Sequence, residues 1–187
     1  MIDYVFEHNG YTIEIHRDED PESPREWDNL GTIVAFHQKY NLGDKHEYNS
    51  KDYNGWNELK KQIIKDHRPV IILPIYMMNH SGLSITTNPS FFQAIDPQHF
   101  DWGQIGFIFV SREKILKEYK RKIITAKIKK EFQKIEDSLI SEIEIYNKYL
   151  KGDVFGYIVK KDDEEIDSCW GIFDYQQAID EAKSNAS

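Results

Sequence analysis

Cysteine is almost missing from this chain of 187 residues: Cys169 stands alone, so no internal disulfide can form. A reducing compartment is expected. Proline (6) and glycine (10) are sparse and follow no period, which excludes collagen-like and low-complexity classes. No apolar run reaches the roughly 18 residues of a membrane span; the longest, Val70 to Met78, is broken by Pro74. The opening Met1-Ile2-Asp3-Tyr4 lacks the basic and apolar regions of a secretory signal. A cytoplasmic location without a membrane partner is therefore expected. Also missing are a glycine-rich phosphate loop, paired metal-binding cysteines, His-Glu-x-x-His and Gly-x-Ser-x-Gly. These absences argue against nucleotide hydrolases, zinc fingers, zinc proteases and serine hydrolases. No cofactor is expected, and oligomeric state is not legible.

What is present is a globular composition, 40% hydrophobic and 30% charged, rich in aromatic residues. The net charge of −8 is strongly segregated. Residues 1–31 hold nine acids and two bases, residues 32–111 seven of each, and residues from 135 onward thirteen acids and five bases. Between them, residues 112–134 carry ten bases against three acids. Such a block is either a footprint for RNA or another polyanion, or a solvated helical surface paired with the protein's own acids. Lys114, Lys117, Lys127, Lys129 and Lys130 are the candidate phosphate contacts.

The order of elements predicts one α+β domain over 1–187, with an antiparallel sheet and terminal hairpins. Asn9-Gly10 between alternating runs 4–7 and 11–15 reads as a type I′ hairpin. Residues 17–29 read as a loop, 32–40 as a strand and 56–67 as a helix stopped by Pro69. Strands follow at 70–73, continued weakly to 78, and at 83–87, then a long irregular loop over 88–104 and a strand over 105–110. A helix from Ser111 to about Lys120 precedes a long amphipathic helix from about Thr125 to Leu150. A hairpin of 154–159 and 168–173 turns at Asp162-Asp163-Glu164-Glu165, and a last helix spans 175–183.

Four polar clusters are candidates for chemistry. Arg25, Glu26, Trp27 and Asp28 combine a forked donor, acceptors and an aromatic ring, suited to recognition or to a self-capped loop. His37, with Tyr40 and Asp44 beyond it, suits a general base, a metal ligand or a hydrogen-bonded sheet histidine. His80 and Ser81 lie in the turn Asn79-His80-Ser81-Gly82, where a serine nucleophile would need a base within reach. His99, Asp101, Trp102 and Gln104 lead into the strand beginning at Ile105. Asp44, His80, His99 and Asp101 would together make a mixed oxygen–nitrogen cation site, although no resident metal is expected. His37, His80 and Asp101 are expected around one concavity.

The string from Pro21 to Gly31, then His37, Tyr40 and Leu42-Gly43-Asp44, resembles a family of small proteins carried by phages and prophages of Gram-positive bacteria. So do Leu73-Pro74-Ile75-Tyr76, His80-Ser81-Gly82, Asp101 to Phe107, Tyr146 to Leu150, Gly152 to Gly156 and Cys169-Trp170-Gly171. Where the family pattern has Tyr-Asp before the His-Ser-Gly, this chain has Met78-Asn79. The resemblance implies a mobile-element accessory protein; accessory genes of such elements often antagonise host defence, type II anti-CRISPR proteins being one class, and by that association the expected partner is an RNA-guided nuclease or its guide RNA. Any activity on that guide would be ribonuclease-like and independent of metal, with His37, His80, His99 and Asp101 as candidates. A small enzyme or sequestering protein for a nucleotide-like ligand, or a structural interaction module, remains the alternative.

Overall fold

A computed structural model describes residues 2–80 and 82–186 and is of the α+β class. In chain order it runs β1 (Ile2–His8), β2 (Tyr11–Arg17), a 3-10 turn (Pro24–Glu26), β3 (Thr32–Ala35) and a second 3-10 turn (Ser50–Asp52). Next come α1 (Trp56–His67), β4 (Ile71–Asn79), β5 (Leu83–Thr86), α2 (Ser90–Ile95), β6 (Trp102–Val110), α3 (Arg112–Glu118) and α4 (Ala126–Lys130). Then follow α5 (Phe132–Lys151), β7 (Phe155–Lys161), β8 (Glu164–Ile172) and α6 (Tyr175–Asn185). Two compact units result, one of residues 1–24 and 145–187, the other of residues 25–144.

The first unit is an antiparallel sheet in the order β1-β2-β7-β8. Asn9 and Gly10 both take positive φ, 54° and 78°, as a type I′ turn demands. Asp162 and Asp163 do the same at 51° and 66°, so the second hairpin turns on two residues and β8 starts at Glu164, earlier than expected. Ile13, Ile15, Phe155, Tyr157 and Val159 alternate onto one face, where Ala178, Ala182 and Ala186 let α6 approach closely.

The second unit is an antiparallel sheet in the order β3-β6-β4-β5. Leu59 and Ile63 of α1 pack on Val34, Phe107 and Phe109. On the alternate side of β6, Ile108 meets Gly31 and Leu139, so the strand is buried on both faces. Pro74 sits within β4 where that strand has one neighbour, because β5 pairs only from Tyr76 onward.

Three expectations are corrected. The strand read as 32–40 stops at Ala35, because the His37 side chain takes the backbone N–H groups of Lys39 and Tyr40 away from any ladder. The irregular stretch 88–104 contains α2, and β6 begins three residues early, at Trp102. The helix read as 125–150 is two, parted at Glu131, whose N–H bonds to Ile128 in a tightened last turn. Ile128, Ile135, Leu139, Ile143 and Tyr146 are its buried positions.

Candidate functional site

Four groups of polar side chains stand out, each held by a different part of the fold. The first closes the β4–β6 end of the second sheet. Asn79 N–H donates to the Asp101 carbonyl at 2.9 Å, extending the strand pairing by one residue. That contact sets His80 opposite Asp101, and His80 Nδ1 lies 2.6 Å from Asp101 Oδ2. The carboxylate accepts, so in the neutral imidazole Nδ1 carries the proton and Nε2 is left as a base. The carboxylate beside His80 thus comes from the start of the neighbouring strand. Both side chains are open to solvent, at 68% and 41%. Asp96 ties the loop together: its Oδ2 accepts Asp101 N–H at 2.8 Å and its carbonyl accepts Trp102 Nε1–H at 2.8 Å. Trp102 is buried as an anchor, with His99 stacked on it at 4.1 Å between ring centres. Gln104 bonds to the Gly106 carbonyl at 3.1 Å. Ser81 lies outside the described residues.

The second group is a cleft of about 620 Å³ where the chain leaves β3, lined by His37, Tyr40, His46 and Tyr48 among others. His37 flanks β6 on the side opposite β4, since Phe36 N–H still bonds to the Ile105 carbonyl. Strand geometry puts it two strands across and several residues along from His80, on the order of 15 Å. His80 and Asp101 are brought together, and His37 belongs to a separate place.

Arg25 forms the third group, and it is structural. Its side chain is 7% exposed and grips Asp44 in a fork, Nε–Oδ1 2.9 Å and Nη2–Oδ2 2.7 Å. Nη1 donates to Glu142 Oε2 at 3.0 Å and Nη2 to the Gly31 carbonyl at 2.9 Å. Glu142 also accepts the N–H groups of Leu30 and Gly31, and Asp44 that of Ile33. Burial alone would lower the Arg25 pKa, but the hydrogen bonds and charges of Asp44 and Glu142 outweigh it and hold the guanidinium charged. Arg25 and Asp44, candidates for recognition, are thus engaged with each other. Glu26, Trp27 and Asp28 remain on the surface. Among the described residues, no three His, Cys, Asp or Glu side chains gather as a metal site would require. The four-residue cation set is not assembled.

The basic segment is the fourth. Lys134 pairs with Glu131 at 2.9 Å, and Lys114 donates to the Asn29 carbonyl. Arg112, Lys117, Lys120, Arg121, Lys122, Lys127, Lys129 and Lys130 are exposed and form no ion pair among the described residues. Among the described residues, Lys134 is the cation of this block that pairs with one of the protein's own acids. No described helix is long and apolar enough to cross a membrane.

Sequence reasoning missed His46, Tyr48 and Glu142. His46 and Tyr48 lie in a stretch with no periodicity, and Glu142 looks like any solvated helical acid until the fold brings residues 25–31 to it. Compared with known proteins, the chain matches no family model, no curated protein and no solved structure.

Proposed function

We propose that this protein binds RNA through the basic segment 112–130, and that the RNA is the guide of a host RNA-guided nuclease that it antagonises. One observation carries the RNA half: eight cations over nineteen residues are exposed and form no ion pair among the described residues, inside an acidic protein. Uncompensated positive charge at that density is costly to a fold through self-repulsion and is relieved by a polyanion. The defence setting rests on the resemblance to phage accessory proteins, and the acidic remainder fits the basic channels of such a nuclease.

The test is RNA binding across a salt series by the parent and by a variant with Lys117, Lys127, Lys129 and Lys130 changed to Gln. Lys114 is left intact because it holds Asn29. Gln keeps helix propensity. Each single-strand phosphate contact contributes about 0.7 to the slope of log affinity against log salt, so the variant should lose up to about 3 units. Equal affinity and slope in both proteins would remove RNA from this function. Adding the candidate nuclease, loaded or free of guide, tests the partner.

A second reading adds chemistry, and the His80–Asp101 contact favours it. His80 Nε2 would remove the proton from an RNA 2′-hydroxyl, whose oxygen attacks the adjacent phosphorus. The 5′-oxygen then leaves with a proton from an acid such as His99, yielding a 2′,3′-cyclic phosphate. Loss of cleavage in His80→Ala with retained RNA binding would support it; intact guide after long incubation with the parent would remove it.

A further inference from the structure

The cleft beyond β3 has features the basic segment does not explain. Its two imidazoles are fixed in tautomer by the backbone. His37 Nδ1 accepts the N–H groups of Lys39 and Tyr40, at 3.2 and 3.3 Å, so this nitrogen carries no proton. The neutral ring then bears its hydrogen on Nε2, which has no partner among the described residues. In His46 the arrangement is reversed. Its Nε2 lies 3.3 Å from the Ala35 carbonyl, which can only accept, so Nε2 carries the hydrogen and Nδ1 is a bare acceptor. That Nδ1 is buried and without a partner among the described residues. A buried acceptor left unmatched is unfavourable, and a donor reaching it as neighbouring side chains shift would relieve the cost.

Flat surfaces accompany this donor and acceptor. Tyr40 stacks on His37 at 5.0 Å and 20°, and the residue is 42% exposed. Tyr48 tilts against His46 at 5.9 Å. Charge narrows the class of occupant. Among the described residues, no lysine or arginine lines the cleft and Glu47 is its only acid, so phosphates and carboxylates are not matched. The side-chain amides of Gln38, Asn41 and Asn49 offer further neutral donors and acceptors. A volume of about 620 Å³ is within the range of small-molecule sites.

We propose that this cleft binds a neutral, planar heterocycle with neighbouring donor and acceptor groups, of the nucleobase type, stacked on Tyr40 and held at its edge by His37 and His46. The site does not depend on RNA binding by the basic segment, since its ligand needs no phosphate. Base stacking on an aromatic ring tolerates any base, while the hydrogen-bonding edge selects among them.

The probes are the four uncharged ribonucleosides, titrated by calorimetry into the full chain. At least one should bind with one-to-one stoichiometry. His37→Phe keeps a ring against Tyr40 but lacks the N–H, and should weaken binding about tenfold, the equivalent of one lost hydrogen bond. Tyr40→Leu leaves the His37 bonds to the backbone in place and removes the stacking surface, and should weaken binding similarly. Circular dichroism confirms that each variant is folded. The fourfold Lys→Gln variant of the basic segment should bind nucleosides as the parent does, which separates this site from the RNA reading. Absence of nucleoside binding by the parent overturns the proposal. So does affinity unchanged in both His37→Phe and Tyr40→Leu, or lost in the lysine variant.

Discussion

Replacing Arg25 with Met asks whether this residue supports the fold or recognises a partner. The guanidinium is 7% exposed, and its two carboxylate partners, Asp44 and Glu142, are 24% and 14% exposed. Removing one member of so enclosed a cluster typically costs about 3–5 kcal/mol, because the remaining charges stay desolvated. Here each carboxylate keeps backbone donors, Ile33 for Asp44 and Leu30 with Gly31 for Glu142, which places the cost near the lower end, about 3 kcal/mol. Met preserves the length and apolar packing of the side-chain stem, so little of that cost is cavity. For a chain of this size 1 kcal/mol corresponds to about 2–4 °C, so the melting transition should fall by about 6–12 °C. Differential scanning calorimetry at pH 7 reads this directly. A parallel Arg25→Lys variant should recover only part of the loss, because an ammonium cannot fork onto Asp44. A melt within about 2 °C of the parent for Arg25→Met would refute the structural assignment and return Arg25 to the surface as a recognition residue.

Other perturbations reach different parts of the molecule. The Glu14 carboxyl is held below its usual value, first by the 2.6 Å hydrogen bond from Lys160 and then by His16, against the opposing effect of burial. A depressed value adds stability above the ordinary carboxylate range and loses it as pH falls through the lowered value. Lys160→Met should therefore melt below the parent at pH 7, with a gap that closes on acidification; a gap constant to pH 3 would contradict this. A Cβ at Gly106 would meet the Val34 carbonyl and Ala35 backbone of β3, so Gly106→Ala should destabilise by about 3 kcal/mol, lowering the urea midpoint. Asp174 caps α6 by accepting Gln177 N–H at 3.0 Å; Asp174→Ala should cost about 1 kcal/mol in urea unfolding and Asp174→Asn much less.

The parts of the fold legible in the sequence are those decided by local chemistry. Asn9-Gly10 fixes its hairpin because few other residues take positive φ twice in succession. The bounds of α1 follow from an apolar face that ends before Pro69. The end of β3 was hidden because a side chain, His37, competes with the ladder, and no hydrophobic pattern records that. Site residues divide the same way. His80 and Asp101 are visible as polar residues at strand ends, and antiparallel pairing brings them into contact. Arg25 was visible as a forked donor, but its partners lie 19 and 117 positions away, and only the tertiary fold identifies them.

The first sheet pairs β2 with β7, Arg17 opposite Phe155 and Thr12 opposite Lys160, with the whole second unit between them in the chain. On the ribosome, β1 and β2 emerge long before the strand they need. At about 5–20 residues per second, the roughly 140 intervening residues take about seven to thirty seconds to synthesise. An isolated hairpin is marginal in water, and this one exposes Tyr4 and Val5 even in the finished protein. The nascent β1–β2 hairpin is thus a waiting partner, open to chaperones or to mispairing until β7 has been made. Residues 25–144, by contrast, hold all four strands of their sheet in one uninterrupted stretch, so the order of birth sets an order of folding.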